Sequence, residues 1–231
     1  VTRIEILARA PGFVVVDKPA GVLVIPGRGE GKPLSLRELL EQQLGKKLFV
    51  VHRLDRDTSG ALVFALDADT HRELSVAFEA GKVKKRYLAL VRGRMEAPLE
   101  IDVPLVPARR GRMRAAHPRH AGKPAQTWVR PLEVFAAATL VEAEPLTGRT
   151  HQIRVHLVHA GYPLLVDPQY GQPKSATARD LGRVGEEVVL QRTPLHAQRI
   201  ELPALGGEPP FSIESPIPSD MARALEILRG A

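Results

Sequence analysis

No cysteine occurs among the 231 residues. Disulfides and thiolate metal sites are therefore excluded, which fits a reducing compartment. No run approaches the roughly 18 apolar residues of a membrane span, and the first residues, VTRIEILARAPG, hold no apolar stretch of signal-peptide length. The expected location is cytoplasmic, with no membrane partner. No internal repeat, low-complexity tract or linker rich in Pro, Gly or Ser divides the chain, so one domain over residues 1–231 is expected. Nucleotide signatures are missing too. The glycine-rich loop PGRGEGKP at 26–33 lacks the G-K-[ST] ending of a P-loop, and neither G-x-G-x-x-G after a strand nor G-x-S-x-G is found.

One further absence is local. Between Asp102 and Glu133 there is no acidic residue, yet Arg109, Arg110, Arg112, Arg114, Arg119, Lys123 and Arg130 all fall there. Lys82, Lys84, Lys85 and Arg86 form a second basic cluster. Solvated faces normally intersperse signs. With a net charge of +7, the distribution favours nucleic acid as the partner.

What is present suffices for a folded protein. Hydrophobic residues make up 44% and charged residues 26%, ordinary values for a chain with one well-buried core or two small ones. Gly12–Asp17 reads as a strand ended by Lys18-Pro19. Ser35 and Glu38 form a capping box ahead of Leu36, Leu39, Leu40 and Leu44, and Gly45 closes that helix. Leu48–Val51 and Ala61–Leu66 read as strands. Thr70 and Glu73 predict a second capping box, for a helix stopped by Gly81. Tyr87–Val91, Ile101–Val106, Thr127–Val134 and Ala138–Ala143 are strand-like, the last two as a hairpin. Thr150 is the expected cap of a helix running through Ala160, and a last helix starts at Ser219 or Asp220 and reaches Arg229. Strands outnumber helices without regular alternation. That predicts an α+β fold with a large, mainly antiparallel or mixed sheet flanked by helices and loops.

Two segments could carry chemistry. In Val51-His52-Arg53-Leu54-Asp55-Arg56-Asp57-Thr58-Ser59-Gly60 the last four residues suit a turn. Arg53 and Asp55 precede it and would share one face of an extended segment. A carboxylate beside arginines stays ionised, available as nucleophile or base. In Pro145 to Gly161 (PLTGRTHQIRVHLVHAG) a glycine precedes a helix start flanked by Arg149 and Arg154. Cations in a first helical turn oppose the helix dipole and ask for an anionic partner; a phosphate and an internal carboxylate both qualify. His151, His156 and His159 do not make a metal site. The first two lie about 140° apart around a helix, without the i, i+4 pairing of zinc helices, so packing or hydrogen bonding is their expected role.

Taken together, VVVDKPAGVLVIPG, HRLDRDTSG, KKRYLALVRG and PLTGRTHQIRVHLVHAGYPLLVDPQYG, with the weaker Leu195-His196-Ala197, resemble the RluA family of RNA pseudouridine synthases. The likeness runs from about residue 7 to residue 220. It implies a pseudouridine synthase fold in a single catalytic domain, without the N-terminal S4-type domain that many members carry. It implies isomerisation of uridine in ribosomal RNA, transfer RNA or both, a reaction needing no cofactor; the missing S4-type domain favours a small stem-loop as substrate, and a monomer is the default expectation. By the same resemblance Asp55 is the catalytic aspartate, Arg154 the arginine paired with it, and Tyr87 the tyrosine stacked on the target base. Arg53 helps fill the space of the flipped nucleotide, and His52, Arg149 and Thr150 are further substrate-binding positions. Attack on C1′, deprotonation at C2′ to a glycal, and addition to C6 of uracil remain open as routes. The rivals are a non-catalytic RNA-binding protein of the same fold, and an unrelated hydrolase built on the histidine-rich helix.

Overall fold

Two apolar segments near the N-terminus pair first. In the computed structural model, which describes residues 3–27, 31, 33–117 and 121–230, β1 (Glu5–Arg9) runs antiparallel to β2 (Phe13–Lys18). Helix α1 (Leu36–Leu44) follows. It is opened by the expected capping box, in which Ser35 accepts from the Glu38 backbone and the Glu38 carboxylate accepts from Ser35, and it is closed by Gly45 at φ 64°. Much of the loop at 26–33 and Arg119 lie outside the described residues. Next come β3 (Phe49–Val50), β4 (Ser59–Ala65) and α2 (Ala68–Glu79).

The start of α2 corrects the sequence reading. Thr70 is already inside the helix. The cap is Asp67, whose carboxylate accepts the Thr70 N–H at 2.8 Å and the Thr70 hydroxyl at 3.1 Å. An ionised carboxylate at a helix N-terminus answers both the unpaired N–H groups and the dipole, which a threonine hydroxyl does less well.

Strand β5 (Lys84–Arg92) leads to β6 (Leu99–Asp102), β7 (Leu105–Pro107), β8 (Met113–Ala115), β9 (Gln126–Val134) and β10 (Ala138–Pro145). The chain continues through α3 (Gln152–His159), β11 (Ala176–Thr177), β12 (Val188–Leu190), β13 (Leu195–Leu202), β14 (Phe211–Glu214) and α4 (Ser219–Arg229). Contacts sort these elements into two compact units, Val1–Lys85 with Ala197–Pro216, and Arg86–His196 with Ile217–Ala231.

In the first unit the strand order is β1-β2-β4-β13, with β3 also on β4 and β14 on β13. Direct cross-strand pairs Phe13–Ala65 and Val15–Val63 present one apolar face, and Leu74 and Ala77 of α2 pack onto it. Gly60 opens β4 at φ 114°, and a Cβ there would stand 2.3 Å from the Ala197 carbonyl oxygen. Only glycine permits that approach and that backbone angle.

In the second unit the order is β5-β10-β9-β6, antiparallel throughout. The β9–β10 hairpin stands as expected. The strand expected at Ile101–Val106 is broken, because Pro104 cannot donate to a ladder. Residues before it pair with β9, and residues after it turn away to form the β7–β8 ribbon. Met221, Ala224, Leu225 and Leu228 of α4 pack against Leu88, Leu90 and Leu190. The architecture is α+β, as the excess of irregularly placed strands implied.

Candidate active site

The turn that carries Asp55 belongs to the first unit and is organised by a residue the sequence reading passed over. Lys18, at the end of β2, is fully buried. Its ammonium donates to the carbonyls of Pro19 at 2.9 Å, Arg56 at 2.9 Å and Thr58 at 2.8 Å. A buried cation is tolerated only when its donors are met, so the ammonium dictates where these carbonyls go. A second tie crosses the same gap. The Gly21 N–H donates to the Arg56 carbonyl at 2.9 Å, and Arg56 Nε donates to the Gly21 carbonyl at 3.0 Å. The Thr58 N–H closes a turn on the Asp55 carbonyl at 3.2 Å. Asp55 is left half-buried on this fixed backbone, with Arg53 exposed beside it.

His52 faces the other way. Its ring stacks on Phe78 of α2, with centroids 4.5 Å apart, and Nε2 accepts the Val63 N–H at 3.1 Å. That bond requires an unprotonated Nε2, so the neutral ring carries its proton on Nδ1. Burial, and secondarily the charge of Lys85, push its pKa down to about 3.

Tyr87, Arg149, Thr150 and Arg154 lie in the second unit. Tyr87 is buried on β5, opposite Ala143. Thr150 is exposed and does not cap α3. His151 occupies the cap position in the left-handed region, φ 53°, with no side-chain cap bond. The work falls to Gln152. Its Oε1 accepts from the Arg149 N–H at 3.0 Å and the Thr147 hydroxyl at 2.6 Å, while its Nε2 donates to the Gln126 carbonyl and to Thr127 Oγ1. A longer amide reaches back over the turn and satisfies the Arg149 N–H, a donor ahead of the helix that an N-cap side chain does not serve. Arg149 is exposed, its Nε donating to the Pro124 carbonyl at 3.0 Å.

Arg154 stands in the first turn of α3, where the dipole disfavours a cation. Of the two anions that the sequence left open, the internal one is present. Asp167 receives Nε at 2.8 Å and Nη2 at 2.7 Å in a bidentate pair, and Nη2 also reaches Gln169 at 2.9 Å. The side chains are only 7% and 1% exposed, so this fork is a strong, dry pair. The Tyr170 ring lies under the guanidinium at 4.9 Å. The Tyr170 hydroxyl accepts the Met113 N–H at 3.0 Å and bonds His151 Nδ1 at 2.8 Å. The plane of Arg154 is thus fixed from three sides. Asp167, in the quoted segment YPLLVDPQYG, was not singled out from the sequence; a carboxylate ending an apolar run was its signal.

His156 is a buried structural histidine. Nε2 donates to the Val103 carbonyl at 2.9 Å, so Nδ1 is the acceptor for the Thr127 hydroxyl at 2.8 Å. Burial lowers its pKa. Among the described residues no group of three or more His, Asp or Glu side chains could hold a metal ion.

The basic tracts are partly neutralised in space. Arg130 pairs with Glu142 across the hairpin at 2.7 Å, and Arg86 with Glu144 at 3.8 Å. Arg109, Arg110, Arg112 and Arg114 are exposed on the β7–β8 ribbon, where Arg110 adopts φ 59° at the tip, and among the described residues none makes an ion pair.

Replacing Lys18 by Met removes a donor from three carbonyls, of which that of Arg56 keeps the Gly21 N–H. Urea unfolding should report a loss of roughly 3 kcal/mol, and trypsin should cut at Arg53 or Arg56 in the folded variant but not in the parent. Unchanged stability and resistance would contradict the clasp. For His52 the unfolded ring titrates near ~6.5, so the unfolded chain takes up the proton first. Its stabilising effect is complete above pH ~6.5 and falls by up to about 1.4 kcal/mol per pH unit as acid drives the pH toward the folded value. Between pH 7 and pH 5 the parent should therefore lose more stability than His52→Gln, and parallel losses in the two proteins would refute the buried neutral ring.

Comparison with known proteins places this geometry. The profile of the family described as RNA pseudouridylate synthase matches residues 12–159, from β2 through α3. Ribosomal large subunit pseudouridine synthase D of Nitrosomonas europaea is 40% identical over 232 residues, covering 98% of this chain and 65% of that protein. The tRNA pseudouridine synthase C of Salmonella typhimurium is 35% identical over 212 residues, 86% of this chain and 80% of that protein. The solved structure of human RNA pseudouridylate synthase domain containing 4 superimposes with a TM-score of 0.78 at 28% identity, covering 97% of this chain and 93% of that one. The chain spans about two-thirds of the length of the ribosomal relative. The fold is that of pseudouridylate synthase domains, and the chain belongs to the RluA-type family of RNA pseudouridine synthases.

Proposed function

We propose that the chain isomerises uridine to pseudouridine in RNA, with Asp55 as the catalytic carboxylate. The reaction breaks the N1–C1′ bond, turns the uracil and joins C5 to C1′; C5 loses a proton and N1 gains one. No net redox change occurs and no external atom is added, so no cofactor is called for. The observation that carries the reading is the half-buried Asp55 on a turn locked by Lys18, within the segment that the family profile matches. Preorganisation of a nucleophile or base on rigid backbone is what such a step needs.

The remaining roles follow the motif. By the motif Arg154 is the arginine assigned to the catalytic aspartate, and its rigid seat against Asp167 suits a group that must not move. The target base is unreachable in a stacked helix and is flipped at a cost of a few kcal/mol. Tyr87 stacks on it, an interaction worth about 1–3 kcal/mol, while Arg53 enters the vacated space. Arg149 and Thr150, both exposed, flank the substrate, whereas His52 is turned onto Phe78. Ribosomal and transfer RNA are both candidates, because one relative is named for each.

Asp55→Asn should abolish tritium release from uridine-5-³H transcripts of large-subunit ribosomal RNA and tRNA, and leave RNA affinity and melting temperature nearly unchanged. Turnover comparable with the parent removes Asp55 from the mechanism. We also propose that the β7–β8 ribbon grips RNA away from the reacting base. Neutralising Arg109, Arg110 and Arg112 together should then lower the slope of log K against log salt by about 2, at ~0.7 per single-stranded phosphate. A triple variant with the parent's slope takes the ribbon off the RNA path.

A further inference from the structure

Three lysines precede Tyr87, and one of them is placed unlike the others. Lys82 and Lys84 are exposed, as surface lysines are, whereas Lys85 is half-buried at the start of β5. Its ammonium lies 6.0 Å over the centre of the Phe78 ring, on the same residue against which His52 is stacked. His52 offers it no charge, since its Nε2 is committed to the Val63 N–H. Among the described residues Lys85 makes neither an ion pair nor a hydrogen bond. Loss of water around the ammonium pulls its pKa below the ordinary lysine value.

The neighbouring cations are treated differently. Arg86, the next residue, has Glu144, and Arg154 has Asp167. Lys85 has only a ring face at the outer limit of a cation–π contact, worth about 0.5–1 kcal/mol at exposed sites. A charge drawn out of water without a counterion costs stability, and an apolar side chain of similar length would fill the same space without that cost. The ammonium therefore answers to something other than the fold. Alternation along a strand puts Lys85 on the same side of β5 as Tyr87, about 7 Å away.

We propose that Lys85 is a phosphodiester-binding residue, its ammonium receiving a backbone phosphate of the RNA. The inference rests on the RNA-modifying reading above and adds a named anion subsite to it. A phosphate oxygen supplies the charge-assisted bond that the protein withholds. The flanking Lys82 and Lys84 add long-range attraction that salt screens, but Lys85, half-buried and fixed by its strand, makes the bound contact.

Binding is measured on Asp55→Asn protein, so that turnover does not intrude, with transcripts of tRNA and large-subunit ribosomal RNA across a salt series. Adding Lys85→Met should lower the slope of log K against log salt by about 0.7 and leave the melting temperature equal or higher, while Lys85→Arg should keep the slope. An unchanged slope in Lys85→Met overturns the proposal. So does a Lys85→Met chain that unfolds or melts lower, because the ammonium would then be serving the fold. A slope change together with absent tritium release by the parent chain keeps the phosphate site and rejects the catalytic reading. Absent RNA binding by the parent rejects both.

Discussion

One buried ammonium governs the geometry of the turn that carries Asp55. Lys18 ends a strand whose first four residues are apolar, and instead of leaving the core it is enclosed there with three carbonyls around it. The desolvated charge is acceptable only because those oxygens converge on it, and they converge only if the segment after Asp55 follows one path. A loop that would otherwise sample many conformations is thereby reduced to one. Precision at Asp55 comes from the backbone on either side of it, not from contacts of its own side chain alone.

The second unit solves a comparable problem by other means. Around the start of α3 the polar groups form a closed set: Gln152 satisfies the turn before the helix, His156 ties Val103 to Thr127, and Asp167 with Tyr170 immobilises Arg154. Each group has its partner, so the network is rigid and costs little desolvation energy that is not recovered. His52 and His156 remain neutral here for the same reason, since each spends a ring nitrogen as an acceptor. Neither is arranged for proton transfer at neutral pH.

Much of this was legible in the sequence where the signal was local. The Ser35–Glu38 box, the glycine closures, the β9–β10 hairpin and the α4 stripe all depend on residues a few positions apart. The failures share a cause. Asp67 displaced Thr70 as a cap because two competent residues stood close together and charge decided between them. Thr150 yielded to Gln152, whose reach backward is invisible in a cap pattern. Pro104 split a strand that hydropathy had joined. The acid-free tract was real along the chain, but Glu142 meets Arg130 only across a hairpin. Lys18 was hidden for a different reason, since a lysine at a strand end reads as solvated unless two carbonyls some 40 residues further along the chain are known to converge on it. The motif positions themselves, from Asp55 to Arg154, were legible only as a resemblance, and their chemistry does not follow from spacing.

The path of the chain through its two units bears on how it is made. β13 and β14, which complete the sheet of the first unit, arrive only after the bulk of the second has been synthesised, and α4, which closes the core of the second, arrives later still. A ribosome therefore releases two unfinished halves and finishes both within one short stretch of translation. Until that moment the part of β4 not paired with β2 or β3 lacks its β13 partner, an edge along which nascent chains associate. Rapid completion, or shelter by a chaperone, is the natural requirement of such an order.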